Sequence, residues 1–506
     1  MKPAVFPLLM LAFVGHGCIN DRAQAQDVRS DGSSITTETL KSFAADPRVQ
    51  RFYVARNWLP AWPSQHVELL LDALGSAEKH GLTGAMFLPE GIQSMPPAQR
   101  EAALTLTAIT YADALVRGRI NPKDLWEKYT IPRPSVDIAR QLNEALEQER
   151  LVQWFDGLAP QDEEYRRLSE AYLKYQSQAS HETLETIPAG ALIKQGNVDF
   201  RVPSIAERLR GEGYLTSYQD ITADRYTLEM AEAVRRLQAD HGIKADGVVG
   251  ADTLQVLNTG AAERARQLAV NLELRRWLNR TPPATRIDVN TAAATLDYWH
   301  GGIPVDHRRV VVGQPDWETP QLSSAIFRLV ANPTWTVPKS IERSEMAAKG
   351  ANYLRRNNMV RRDGWIVQLP GPDNALGQVK FDMRNDYAIY LHDTPAQHLF
   401  ESAQRHRSHG CVRVEDAAGF ARILAEQDGS ILQFEEALAN GGEESFVALS
   451  SEIPVRLIYH TAYLDENGGI RFLPDIYGWD AKVAEAMNLG ANEPRTIYHI
   501  DADLGP

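Results

Sequence analysis

The sequence predicts a multidomain α+β protein with a helical N-terminal region, a small three-helix unit and a β-rich C-terminal domain. Between Phe52 and about Tyr175, apolar residues recur at three-to-four spacing, as in Val67–Leu74 and Ala102–Ile109. After Pro282-Pro283 the period shifts to short runs rich in β-branched and aromatic residues. Between the two, a strong Asp246-Gly247 turn separates short helical patterns.

Residues 1–25 read as a secretory signal peptide. Met1-Lys2 precedes an apolar run from Ala4 to Val14 and the small-residue pattern Ala23-Gln24-Ala25, so cleavage is expected near Ala25. The rival reading is a lipid-modified Cys18; against it, Gly15-His16-Gly17 lacks the branched apolar residue of lipoprotein processing sites. Residues 26–180 form a helical scaffold domain, interrupted by Gly81 and by the turn Arg119-Ile120-Asn121-Pro122. The polar stretch Ser177–Glu185 marks its end. The three-helix unit occupies 181–260, with a helix Ala231–His241, the turn segment 242–250 and a last helix from Ala251. A connecting amphipathic helix, Ala261–Leu278, lies within 261–283.

The β-rich domain spans 284–480, followed by a C-terminal tail, 481–506. Its expected strands are Arg286–Asn290, Thr295–Trp299, Arg309–Gly313, Ala325–Val330, Ala388–His392 and Val455–Tyr459. Gly301-Gly302 turns the chain between two of them, and a helix is expected from Glu415 to Gln427.

The net charge of −13 gives no basic footprint for nucleic acid. No apolar stretch after the signal reaches membrane-spanning length. Cys411, in Ser408-His409-Gly410-Cys411-Val412-Arg413, is the only cysteine left once the signal is removed. In an oxidising compartment cysteines are normally paired, so a lone thiol flanked by glycine and histidine suits a nucleophile. The bland reading is a buried structural cysteine. His392, at the end of the apolar run Ala388–Leu391, is the best-placed base; His409, adjacent to the thiol, is expected to point away from it. One cysteine without a second ligand cluster makes a poor metal site, and there is no phosphate loop or dinucleotide fingerprint. No metal and no cofactor are expected.

Gln238, Gly242, Asp246, Gly247, Gly250 and Thr253 match the pattern of the peptidoglycan-binding domain of bacterial wall enzymes, which the three-helix unit resembles. His392, fifteen residues, then Ser408-His409-Gly410-Cys411 resembles the active-site signature of L,D-transpeptidases of the YkuD fold. Val312–Pro315 with Thr319-Pro320, Asn332–Pro338, Pro370–Gly377, Tyr390–Pro395 and Pro474–Tyr477 resemble segments of the large periplasmic members. The likeness reaches the scaffold through Arg51-Phe52-Tyr53 and Gly118–Pro122. Two departures stand out: Arg413 replaces a common asparagine, and the stretch between Ile341 and Gln368 is short for the loop that caps the groove in those members.

The resemblance implies a periplasmic, cysteine-dependent acyltransferase. Cys411 attacks the L-centre carbonyl of diaminopimelate in a tetrapeptide donor stem, His392 takes the thiol proton, and D-alanine leaves. A diaminopimelate amine on an acceptor stem then forms a 3→3 cross-link, and carbapenems are the expected inhibitors. Water as acceptor makes the same site an L,D-carboxypeptidase, and attachment of an outer-membrane protein is a further family outcome. A non-catalytic wall-binding scaffold is the reading from a different class. Around the thiol, Gly410 and Cys411 N–H groups are candidate oxyanion donors and His409 shapes that pocket. Ser408 either orients a ring or caps a turn. Arg413 either meets a stem carboxylate or pairs with Glu415 or Asp416, and Tyr390 either lines the pocket or packs. His398, His406 and His460 are read as surface or packing residues.

Overall fold

The computed structural model describes residues 35–181, 185–216, 224–346 and 349–490. The expected signal peptide, Cys18 and the tail beyond 490 lie outside the described residues. The chain divides into two compact units. The first comprises residues up to Glu78 with 82–115 and 136–159; the second comprises 79–81, 116–135 and everything from Pro160.

The described part of the first unit is helical. Its helices begin where the sequence supplies caps: Thr36 forms a capping box with Thr39, and Asp46 caps Pro47–Ala55 with proline in the first turn. Tyr53, Glu101, Thr105 and Trp62 share a buried polar cluster in which the Trp62 indole and the Tyr53 hydroxyl both reach Thr105 Oγ1.

In the second unit, helices Val202–Gly211, Leu228–Asp240 and Ala251–Leu257 enclose an apolar core of Ile205, Leu209, Tyr226, Val234, Leu237 and Leu254. Gln238 is its polar hub. The side-chain amide donates to Val248 O and Thr253 Oγ1, both at 2.9 Å, and its oxygen accepts Gly247 N–H at 2.8 Å. Gly247 has φ +72°, and an added Cβ there would meet Ala231 O at 2.8 Å. The motif residues are thus a turn-holding device.

The connecting helix runs Ala261–Arg276 and is buried on nearly all sides instead of showing the expected amphipathic face. Its polar residues are consumed inside: Glu273 accepts from Ile120 N–H, Trp277 Nε1 and Arg276, whose other amino group reaches His80 O and Tyr165 Oη. Residues that a periodicity argument assigns to solvent here bind other buried groups.

The β-rich domain contains β1 (Arg286–Asn290), β2 (Thr295–His300), β3 (Ile303–Gly313), β4 (Leu322–Ala331), β5 (Trp335–Thr336), β6 (Met359–Arg362), β7 (Trp365–Gln368) and β8 (Val379–Met383). It continues with β9 (Leu391–His392), β10 (His406–Ser408), β11 (Val412–Val414) and β12 (Ser445–Ile458). The main sheet has the order β10-β3-β11-β9-β8-β4-β12-β1-β2, and pairing of β2 with β3 closes it on itself. Ile287, Leu296, Val312, Ile326, Phe381, Leu391 and Val412 fill its interior with Phe420 and Leu424 of the helix Ala417–Asp428. A separate three-stranded sheet, β5-β7-β6, is built from the stretch that looked short for a cap, and has its own core of Trp335, Val337, Ile341, Met359, Ile366 and Leu376.

The expected strand Ala388–His392 shrinks to its last two residues. Asn385 takes the Tyr387 and Ile389 N–H groups on its side-chain oxygen and returns its amide to Ile389 O, while Ala388 adopts φ +55°. A side-chain-stabilised turn wins over the extended pattern.

Candidate active site

Two short strands set the site. β9 and β11 run parallel, with Leu391 opposite Val412 and Arg413 opposite His392, and Val412 N–H bonds Tyr390 O at 3.1 Å. Cys411, one residue before β11, therefore stands level with the Tyr390 end of β9.

The loop carrying the thiol is tied at every polar group that the sequence offers. Gly410 has φ +108°, which a side chain would strain. Ser408 Oγ donates to Cys411 O at 2.5 Å and accepts Gly410 N–H at 3.1 Å, so Ser408 holds the turn and does not orient a ring. The same bond corrects one expectation: the Gly410 N–H faces Ser408 and is not free to receive an oxyanion. Thr319, noted in the sequence only as part of a family-like segment and given no role there, accepts Gly313 N–H and donates to Gly410 O, both at 2.9 Å. Tyr477 Oη in turn donates to Gly313 O at 2.6 Å, and the His406 ring packs edge-on to Tyr477. These contacts join segments far apart in sequence and leave no local signature.

Cys411 is buried and is a free thiol. Its Sγ donates to Ala388 O at 3.8 Å, a contact created by the left-handed Ala388. Burial pushes the thiol pKa up, with Tyr390, Lys380 and Arg413 pulling against it. His392 is fully buried, and burial, reinforced by the Arg413 charge, lowers its pKa to about 3. The ring is therefore neutral at ordinary pH. Its Nδ1 lies 2.5 Å from Asp393 O, and since a carbonyl only accepts, Nδ1 carries the proton. Nε2 then holds the lone pair, and among the described residues it has no hydrogen-bond partner.

The remaining expected residues divide in two. Tyr390 sits edge-on to His392 with ring centroids 5.6 Å apart and packs against the core of the β5-β7-β6 lobe, so it both lines the site and packs. Arg413 is buried, while Glu415 bonds Arg309 and Asp416 bonds Arg308. The half-buried His409 has its ring edge-on to Trp317 at 5.0 Å. His406 and His460 are buried and His398 is exposed. Among the described residues no group of three or more His, Cys, Asp or Glu is placed to hold a metal, and no helix is long and apolar enough to cross a membrane.

Residues 284–431 match the YkuD family model, described as the L,D-transpeptidase catalytic domain. The chain thus contains a YkuD-type L,D-transpeptidase catalytic domain. Residues 47–171 match a "Scaffold domain" and 201–257 a "Putative peptidoglycan binding domain". A Haemophilus influenzae protein named "Putative L,D-transpeptidase" is 32% identical over 220 residues, covering 39% of this chain and 45% of that protein. The chain thus aligns with less than half of that relative's length. Among solved structures, an L,D-transpeptidase of Stackebrandtia nassauensis is 15% identical, covering 54% of this chain and 96% of that one, with a TM-score of 0.23. One from Xylanimonas cellulosilytica is 17% identical, covering 53% and 98%, with a TM-score of 0.19. The likeness rests on the family models, and the YkuD match contains both Cys411 and His392.

Proposed function

We propose that this YkuD protein is an exported L,D-transpeptidase that forms 3→3 cross-links between peptidoglycan stems through a thioester on Cys411. The observation that carries the reading is the neutral, buried His392, fixed by Asp393 O in the tautomer that presents a lone pair at Nε2. A rotation of the Cys411 side chain exchanges the Ala388 carbonyl for that lone pair. Nε2 takes the thiol proton as Sγ attacks the L-centre carbonyl of diaminopimelate, and the oxyanion forms at the Cys411 N–H. Collapse breaks the amide bond, and the proton on His392 passes to the departing D-alanine amine. The amine of a second diaminopimelate then attacks the thioester, and the thiol is restored. Arg413, buried beside both groups, keeps His392 from protonating in the resting site. The peptidoglycan-binding domain holds the wall, and carbapenems acylate the same thiol.

Mass spectrometry of disaccharide-tetrapeptide incubated with the purified protein tests the reading. A 3→3 dimer and a Cys411-bound carbapenem, both lost in Cys411→Ser, are expected. A trimmed tripeptide alone would make the protein an L,D-carboxypeptidase, and no product with no adduct would leave a wall-binding scaffold.

A further inference from the structure

The lobe formed by β5, β7 and β6 carries a charge opposite to that of the chain. Residues 339–363 hold seven lysines and arginines against three carboxylates, in a protein of net charge −13. Glu342 is shared by two of these cations, with Lys339 Nζ at 2.6 Å and Arg361 at 3.0 Å. Arg355 bonds the neutral Asn352. Arg343, Arg356 and Arg362 are exposed and make no ion pair among the described residues. The lobe's apolar core accounts for its folding, and clustered, unneutralised guanidinium groups only repel one another there. Such a surplus is explained by a ligand that brings the missing negative charge.

Its position says which ligand. Tyr390 packs against the lobe's core while its ring lies against His392, so the lobe that carries these cations adjoins the site that holds the thiol. We propose that the lobe is an anion-binding landing surface for a peptidoglycan strand, taking the free carboxylates of its stems on Arg343, Arg356 and Arg362 and drawing the strand toward Cys411. This rests on the reading of the site as one that acts on stem peptides. Arginine suits the task, since its planar fork matches a carboxylate and stays charged at any working pH. An anionic lipid surface carries the same sign of charge, but nothing ties it to the thiol; the stem polymer is the ligand that must reach both.

The test uses full-length Cys411→Ala protein, which binds without turnover, with and without Arg343→Gln/Arg356→Gln/Arg362→Gln. Retention on purified sacculi is measured at about 50 mM and about 500 mM salt. Apparent affinity at low salt should fall about tenfold in the triple variant, and the gap should close at high salt, where screening shortens the reach of the charges to a few ångströms. Sacculi whose carboxylates have been amidated should bind both proteins alike. Equal retention at low salt would overturn the proposal. So would an equal fall in a Lys123→Gln/Lys174→Gln/Lys482→Gln control, or a loss confined to phosphatidylglycerol vesicles with sacculus binding intact. Failure of the underlying enzymatic reading looks different: unmutated protein would then form no carbapenem adduct on Cys411, whatever the triple variant binds.

Discussion

Thr319 is the residue on which the catalytic loop turns, and its replacement is the sharpest test of how that loop is held. The hydroxyl is fully buried and serves two backbone groups at once, Gly313 N–H and Gly410 O. Thr319→Val keeps the shape and leaves both unsatisfied. A buried polar group without a partner costs about 1–3 kcal/mol, so the variant should lose roughly 2–6 kcal/mol. That is a large part of the roughly 5–15 kcal/mol by which a domain is stable. Thr319→Ser keeps both bonds and loses one methyl group, for about 1 kcal/mol. Urea unfolding of the three proteins gives the stabilities, and the rate of carbapenem acylation at temperatures where all are folded reports the loop. The valine variant should be acylated more slowly, because Gly410 O is no longer anchored one residue before the nucleophile. Valine and serine variants agreeing within about 0.5 kcal/mol, with equal acylation rates, would refute the claim that this hydroxyl holds the loop.

Three further outcomes are expected. Iodoacetamide labelling of Cys411 should have its inflection at or above the ordinary thiol value of about 8.5, and His392→Ala should leave it there; an inflection near neutrality that moves upward in the variant would reveal a resting ion pair. His392, His80 and His460 have pKa values near about 3 and His406 near about 4, below the ordinary 6.5, so each binds its proton more readily when unfolded. Stability should therefore fall as pH drops through about 6.5 toward these values, and His392→Gln should flatten the urea-derived slope between pH 4 and 6.5 by up to about 1.4 kcal/mol per pH unit; an unchanged slope would contradict the neutral assignment. His392→Ala should abolish acylation while His409→Ala, which loses the Trp317 contact and pocket shape, retains part of it; the opposite order in a quench-flow assay would exchange their roles.

Legibility followed locality. The thiol, its histidine and the small unit's Gln-Gly-Asp-Gly-Thr motif were readable because each is a short segment whose chemistry or turn geometry is written in neighbouring residues. Strand β9 was half readable: the apolar pattern from Ala388 favours extension, but Asn385 captures the backbone and makes a turn that delivers Ala388 O to the thiol. Asn385-Asp386 was the available signal, a turn-forming pair before the apolar run. The roles of Thr319 and Tyr477 and the orientation of Gly410 were unreadable, since these groups meet only once the sheet closes. The buried helix Ala261–Arg276 misled for a related reason, its polar residues having partners more than a hundred positions away.

The resting ionisation of the site bears on how readily the Cys411 thiol is oxidised. Oxidation follows thiolate content and exposure. Cys411 is buried, its pKa is raised, and its S–H is donated to Ala388 O, so the thiolate is scarce in the resting site. A conventional thiolate–imidazolium pair would be always armed, and always exposed to oxidants. Here His392 stays neutral because it is buried and because Arg413 opposes its protonation, which in the proposed mechanism makes proton removal part of the attack itself. Reactivity then belongs to ligands that place a carbonyl beside the Cys411 N–H, where the negative charge formed in the attack is received as the proton leaves. A small alkylating agent brings no such carbonyl and meets a sluggish thiol. A strained acyl donor should react much faster than its intrinsic electrophilicity toward a free thiol predicts, and the ratio of the two rates measures how far the site, and not the thiol alone, supplies the chemistry.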